Sequence, residues 1–297
     1  MNTPLAFLNG RFLPFVEAAL PLHDAGFVSG ATVVDNARTF RHKLFRWSDH
    51  LARFRRDCAA CYVPLDATDE QLTSAAEELV SHNARLLPAG GELQLVTFAT
   101  PGPLGFYLGE ARNGPPGLGM VTYPLPFARY RPFFTEGVTL AIAGIQHAHS
   151  DDLLPPRVKH RSRLHWHIAA RTLADPNSDC LWMRDPPATD PSVVPVVFNA
   201  GGAADTAIGS VLVVLGGTVV GQSWVQDSIS ARVVGELCGR VGLTFVPDKT
   251  IEMGLFARPP FSEELAQKFP QPTELLLAGT GFCVAGVRRF GFRDTCR

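Results

Sequence analysis

The chain has 297 residues, 27 Lys+Arg against 28 Asp+Glu, a formal net charge of −1 and 46% hydrophobic residues. That balance excludes the basic footprint of a protein built around nucleic acid or anionic membrane, and the apolar share suits one large core or two moderate ones. No run approaches the roughly 20 apolar residues of a membrane span. The opening Met1–Phe7 lacks the basic-then-apolar order of a signal peptide. Six scattered cysteines (58, 61, 180, 238, 283 and 296) do not form the dense framework of a small secreted domain. The expectation is a cytoplasmic protein with free thiols whose partners are small molecules or a second copy of itself, with no nucleic acid and no membrane.

Leu5–Leu13 predicts a hairpin, because Asn9-Gly10 supplies the positive φ angles of a two-residue turn between apolar arms. A second hairpin runs from about Val33 to Trp47, turning near His42-Lys43. A helix follows from Asp49, capped by Ser48, with Leu51, Phe54, Cys58 and Cys61 on one stripe. Positions 72, 75, 76, 79, 80 and 83, apolar except for Asn83, predict a helix between Glu70 and Leu87, ended by Pro88 and Gly90-Gly91.

Strands near 92–99 and 118–123 lead into Tyr123–Pro132, where three prolines oppose regular structure. That stretch reads as a linker, giving an N-terminal α/β domain over 1–124, a proline-rich linker over 125–133 and a C-terminal domain over 134–297. The second domain offers a strand near 137–145 and a helix capped by Ser162 that carries Leu164, Ile168 and Leu173 and stops at Asp175-Pro176. Strands near 180–183 and 194–198 flank the insertion Pro186–Ser192. Ser210–Gly221 is a hairpin turning at Gly216-Gly217, and a helix over Ser230–Val241 is stopped by Gly242. A final strand, Glu274–Ala278, breaks into Gly279-Thr280-Gly281. The layout is α+β, two mixed domains without internal repeats.

Several positions carry candidate chemistry. Lys159 stands where a strand-like segment runs into a helix, among Arg157, His160, Arg161 and Arg163. An amine that is partly desolvated and near other cations loses its proton readily and becomes a Schiff-base nucleophile; a solvated basic face is the alternative. Ser228-Ile229-Ser230 opens a helix, where backbone N–H groups, the positive dipole end and hydroxyls suit a phosphate, or simply cap the helix. The glycines around Thr280 permit close backbone approach to a ligand or make a tight turn. Arg53, off the apolar stripe of its helix, is either solvent-exposed or a bidentate phosphate ligand. Asp205, at a strand entrance, is a turn residue or a partner for a protonated ring nitrogen. Cys58-Ala-Ala-Cys61 has redox or metal spacing, but it falls on the apolar side of a helix with no second pair, which points to core packing. His147, His149, His160, His165 and His167 do not share one element that would aim them at a metal, so none is expected.

In this order the motifs resemble those of the class IV (fold type IV) pyridoxal-phosphate enzymes, the family of branched-chain aminotransferases, D-amino-acid aminotransferases and aminodeoxychorismate lyases. The resemblance runs from about Phe7 to Val287. Leu8-Asn-Gly-Arg-Phe12 looks like the family's opening hairpin and His23–Gly30 like its Asp-Arg-Gly-Phe-x-Tyr-Gly stretch. His50-Leu-Ala-Arg53 is similar to the pattern whose arginine binds the cofactor phosphate, and Lys159 matches the Schiff-base lysine. Asp205 stands where the family has the glutamate that holds the pyridine nitrogen, while Ile229-Ser230 and Thr280 match its later phosphate ligands. Ser29 replaces a usual tyrosine, Val34-Asp35 the common Phe-Glu, Ser210 an asparagine and Ala231 an arginine.

The resemblance implies pyridoxal 5'-phosphate between the two domains, a homodimer, and amino transfer between an amino acid and a 2-oxo acid. It also implies Arg38 and Ser29 on the substrate side. Two other outcomes stay open: carbon–oxygen lyase action on aminodeoxychorismate, which the Lys159-His-x-x-Arg-Leu164 wording favours, and a catalytically silent homologue.

Overall fold

Asn9 and Gly10 take φ angles of 49° and 82°, and the chain reverses there between β1 (Leu5–Leu8) and β2 (Arg11–Pro14). The structure, a computed structural model, describes residues 3–146, 157–174, 190–198, 204–222, 226–249 and 274–290. Contacts divide the chain into two compact units, Met1–Leu125 with Val158–Ser162, and Pro126–Arg157 with Arg163–Arg297.

After the first hairpin the first unit continues with α1 (Ala25–Val28), β3 (Val33–Phe40), β4 (Lys43–Leu44), α2 (Trp47–Ala60), α3 (Asp69–Ala84), β5 (Leu93–Thr100) and β6 (Gly117–Pro124). Its strands form one antiparallel sheet in the order β2-β1-β6-β5-β3-β4. One face of that sheet is covered by the helices. Leu51 of α2 and Leu72, Ala75, Ala76 and Leu79 of α3 pack with Ala37, Leu95 and Met120, while Phe54 and Cys58 pack with Val33 and Ala99. Each fully buried leucine or phenylalanine contributes about 1.5–3 kcal/mol. Strand alternation therefore sends Val33, Asp35, Ala37 and Thr39 toward the helices and Val34, Asn36 and Arg38 to the other face.

Thr68 and Gln71 close a reciprocal capping box that starts α3. The start of α2 differs from expectation. It begins at Trp47 behind Arg46, whose φ of 54° is left-handed, and no side chain caps it, so Ser48 lies inside the helix.

The second unit comprises α4 (Phe127–Thr135), β7 (Val138–Gln146), α5 (Leu164–Ala174), β8 (Val193–Phe198), β9 (Ala204–Thr206), β10 (Ser210–Leu215), β11 (Thr218–Gln222), α6 (Ile229–Arg240), β12 (Thr244–Lys249), β13 (Glu274–Gly279) and β14 (Cys283–Phe290). Its eight strands run in the order β12-β11-β10-β13-β14-β7-β8-β9. β9 also pairs with β10 through Asp205 and Ser210, so six of the strands close on themselves. Val138, Leu140, Val194, Val196, Val211 and Leu277 belong to the core cluster built on these strands.

The stretch 125–133 is not the irregular crossing that its prolines predict. Residues from Phe127 onward are helical, and α4 runs through Pro132. Proline in a helix interior costs roughly 3 kcal/mol through its missing N–H and ring clash. Aromatic packing offsets this: the Phe133 ring lies 5.1 Å from Phe282, the Tyr130 ring lies 5.6 Å from each, and Phe133 is buried. Tertiary contact overrides local propensity here.

Val158–Ser162 packs with the first unit, although a boundary drawn by sequence at 134–297 puts it in the second domain. Ser162 does not cap α5 either; its hydroxyl donates to the Gly30 carbonyl at 2.8 Å. β9, β12 and β14 are additional to the predicted strands. Cys238 is buried and forms no disulfide. The expected strand near 180–183, most of Pro186–Ser192, His147, His149, Cys180 and Cys296 lie outside the described residues. Among the described residues no helix is long and apolar enough to cross a membrane.

Candidate active site

His50, Arg53 and Asp57 recur at i, i+3 and i+7 on α2, which puts all three on the side of the helix that meets β3. Asp35 of β3 answers two of them. Its Oδ2 accepts from Arg53 Nε at 2.7 Å and its Oδ1 lies 2.6 Å from His50 Nδ1, with these side chains only 3% exposed.

Burial alone would raise the pKa of Asp35, but the Arg53 charge and the His50 hydrogen bond outweigh it and hold the carboxyl well below the usual range. Burial lowers that of His50 and prevails over the pull of Asp35, so the imidazole stays neutral and donates Nδ1–H to the carboxylate. Arg53 Nη2, 3.4 Å from that same nitrogen, is then in contact without a hydrogen bond. Arg53 is therefore not solvent-exposed. It is a buried guanidinium whose plane is fixed side-on through Nε.

One turn further, Asp57 reaches the Lys159 segment. Its Oδ2 accepts the Lys159 backbone N–H at 2.9 Å, while Oδ1 accepts from Arg56 Nη2 at 2.9 Å. On its other side the Lys159 carbonyl accepts from Val34 N–H at 3.0 Å, and Arg161 N–H donates to Thr32 at 2.8 Å. The backbone of Lys159 is thus held from two directions, by α2 and by β3. The bridge between Val33 and His160 is antiparallel, which sets Lys159 across from Val34. Lys159 is half-buried, and its charge is one of the influences that keep His50 from protonating.

Asp57 is expected to position this segment. Asp57→Ala would leave the Lys159 N–H without its acceptor and should lower stability by about 1–3 kcal/mol, measured by urea denaturation. Asp57→Asn, which keeps an acceptor oxygen, should lose less.

Two further positions with expected substrate roles belong to the same unit. Arg38 is buried on β3, donates from Nε to the Thr39 carbonyl at 3.2 Å, and lays its guanidinium 4.0 Å over the Phe40 ring. Ser29 is exposed at the C-terminal end of α1, next to Gly30 with its φ of +64°.

The second unit holds the other expected positions. Ile229 is the buried first residue of α6, Ser230 is half-buried behind it, and Ser228 Oγ caps the helix by accepting Ala231 N–H at 3.2 Å. A cavity of about 290 Å³ lies at this end of α6, lined by Ser210, Gln222, Ser228 and Ala231 with Arg157 and Arg232. Backbone donors, the helix dipole and the Arg157 guanidinium favour an anion there, while Asp227, which also lines the cavity, lies 3.8 Å from Arg232 Nε and offsets that second cation.

Asp205 Oδ1 accepts the N–H of Thr206 at 2.8 Å. Thr280 sits half-buried in the turn between β13 and β14. The glycines beside it are needed by the chain itself: an added Cβ on Gly279 would meet the Ile208 carbonyl at 2.5 Å, and one on Gly281 would meet the Tyr130 hydroxyl at 2.5 Å.

Cys58 and Cys61 form no disulfide, and Cys58 packs in the core beside Phe54. Burial pushes the Cys58 thiol up to about 12, which removes it from thiolate chemistry. The sequence marks Asp35 only as a departure from the family pattern and passes over Asp57. The signal for both was the His-x-x-Arg-x-x-x-Asp spacing on one helix face, which predicts that a buried arginine has a carboxylate opposite it.

The α+β fold is shared with solved structures. A branched-chain aminotransferase from Thermoproteus uzoniensis, solved with norvaline, superposes with a TM-score of 0.72 at 17% identity over 97% of this chain and 87% of that one. The branched-chain amino acid aminotransferase of Thermobaculum terrenum in its PLP form gives 0.68 at 16% identity over 98% and 87%. At such identities the likeness establishes the fold.

Residues 32–188 match the family described as amino-transferase class IV, and the chain belongs to that family. A D-alanine aminotransferase of Staphylococcus haemolyticus is 32% identical over 77 residues, 26% of this chain and 27% of that protein. The chain thus matches only about a quarter of the length of that curated relative.

Proposed function

We propose that the protein is a pyridoxal-phosphate-dependent aminotransferase that moves an amino group between an amino acid and a 2-oxo acid. The observation that carries this reading is Lys159, half-buried, with its backbone fixed by Asp57 and Val34.

The donor set fits the cofactor. A phosphate dianion calls for guanidinium groups, hydroxyls and helix-end N–H groups, which Arg53, Ser230, Thr280 and the first turn of α6 at Ile229 offer. A pyridine nitrogen kept protonated calls for a carboxylate, which Asp205 offers. When bound, pyridoxal phosphate supplies an electron sink that stabilises negative charge at the substrate Cα.

Around it the chain's own groups do the rest. Lys159 Nζ holds the cofactor between turnovers, takes the proton from the substrate Cα and returns one in the reverse half-reaction. Arg38 offers its guanidinium to the substrate carboxylate. Asp35 keeps Arg53 charged and oriented. A homodimer and a cytoplasmic location belong to the same proposal. The exposed run Phe106-Tyr107-Leu108 supports a partner copy, since contiguous exposed apolar side chains mark interaction surfaces.

Two measurements test the reading. Borohydride reduction of the purified protein with pyridoxal phosphate, followed by peptide mapping, should place the pyridoxyl group on Lys159; its absence there would sink the proposal. A panel of amino acids and 2-oxo acids should then show keto-acid-dependent amino transfer, and formation of pyruvate and p-aminobenzoate from aminodeoxychorismate would favour the lyase instead. Arg53→Lys keeps the charge but loses the planar fork and its Nε pair with Asp35. It is expected to raise the dissociation constant for pyridoxal phosphate by about tenfold, read by fluorescence titration.

A further inference from the structure

Asp205 is the carboxylate proposed for the cofactor's ring nitrogen, and it stands where the family has a glutamate. An aspartate is shorter by one methylene, about 1.5 Å, so its reach depends on where the backbone puts it. Asp205 faces Ser210 of β10 and Val197 of β8 across the sheet, and its Oδ1 accepts the Thr206 N–H at 2.8 Å. The carboxylate therefore moves with the turn that joins β9 to β10.

Thr206 gives that turn its shape. Its buried hydroxyl donates to the Gly209 carbonyl and accepts the N–H groups of Ile208 and Gly209 at 3.3 and 2.9 Å. Bonds within the turn close it but do not fix where it points. Arg163 supplies a hold from outside: half-buried and 44 residues earlier in the chain, it donates from Nη2 to the Ala207 carbonyl at 2.6 Å. A charged donor makes such a bond short and strong.

The donor stands on a fixed base. Arg163 immediately precedes α5, and its carbonyl accepts the N–H groups of Trp166 and His167 at 3.0 and 3.2 Å. Trp166 and Ala169 are buried in one cluster with Val197 of β8, and Ala207 packs against that cluster. A hydrogen bond and an apolar contact thus pin the same residue, two positions beyond Asp205.

We propose that Arg163 is a positioning residue for Asp205: through the Ala207 carbonyl it holds the β9–β10 turn where the shorter carboxylate meets the ring nitrogen of pyridoxal phosphate. This rests on the reading of Asp205 as the partner of that nitrogen.

The test compares, by fluorescence titration, the dissociation constants of pyridoxal phosphate and of 1-deazapyridoxal phosphate, which carries carbon in place of the ring nitrogen. Arg163→Met should raise the constant for pyridoxal phosphate by about tenfold and change that for the deaza compound by less than about twofold. Arg163→Lys, which keeps a charged donor for the carbonyl, should stay near wild type. In an Asp205→Ala background, Arg163→Met should add less than about twofold, because residues that act through one another are not additive. Thermal melts report folding, and Arg163→Gln, too short to reach Ala207, serves if the methionine variant does not fold. Equal weakening of both compounds, unchanged binding of pyridoxal phosphate in a folded variant, or additive effects of the two substitutions would overturn the inference. Asp205→Ala that binds both compounds as the wild type does would overturn it together with the reading of Asp205, and a wild-type protein that binds neither would remove the proposed function as well.

Discussion

Lys159→Ala is expected to lower amino transfer by at least about a thousandfold, since it removes both the covalent anchor and the group that moves the Cα proton. The fold should survive the change. What holds this segment in place is the backbone N–H on Asp57 and the backbone carbonyl on Val34, and neither depends on the side chain. Circular dichroism and the thermal midpoint should therefore stay close to wild type while activity is lost.

Lys159→Arg separates the chemistry from the charge. It preserves a cation at the same place, but its guanidinium does not deprotonate in a protein, so it should be as inactive as the alanine variant. In both variants borohydride should no longer fix the pyridoxyl group at position 159. Activity within tenfold of wild type in either would overturn the assignment.

Much of this arrangement was legible before any coordinates. The Asn9-Gly10 and Gly216-Gly217 turns, the helical period over 72–83 and the helix near 230–241 each carry a strong local signal, and each element forms. Failures occur where tertiary packing outweighs local chemistry. Pro132 lies inside a helix because Tyr130 and Phe133 pack on Phe282, contacts about 150 residues apart in sequence that no window detects. β14 escapes because most of its residues, including Arg288 and Arg289, are exposed or only half-buried, so it lacks an alternating apolar pattern. Ser48 and Ser162 look like helix caps, but Arg46 starts one helix through its backbone and Ser162 spends its hydroxyl on Gly30.

The candidate site shows the same division. Lys159 and Arg53 were recognisable as residue types in a motif order, whereas their supports were not. Asp35 and Asp57 matter through a pairing between a strand and a helix, and through a segment that returns about 100 residues later in the chain. Arg53 read as an outward-facing residue because the apolar stripe of α2 is broken by three polar side chains that are nonetheless buried. A buried ion pair removes residues from the hydrophobic pattern without removing them from the core.

That pair sets the second large effect. Asp35→Ala would leave the Arg53 guanidinium buried without its counter-charge and His50 without its acceptor, a loss of about 3–5 kcal/mol, measured by urea denaturation at neutral pH. Asp35→Asn keeps the shape and one acceptor but still lacks the negative charge, so it should recover only part. Asp35→Glu restores charge and adds a methylene to a packed site, at a cost of about 1–3 kcal/mol.

The pH dependence has a definite sign. Asp35 is depressed in the folded state, so its contribution is complete above its ordinary value of 3.8 and is lost as pH falls below it. His50 is depressed as well. The unfolded chain therefore takes up a proton first as pH falls through the ordinary 6.5, and stability declines from there downward. In Asp35→Ala the acid step near 4 should shrink. The decline below 6.5 should steepen, because His50 loses the carboxylate that favoured its protonated form while Arg53 remains beside it. A variant whose stability profile kept the wild-type shape between pH 3 and 7 would show that Asp35 does not govern the charge state of this buried cluster.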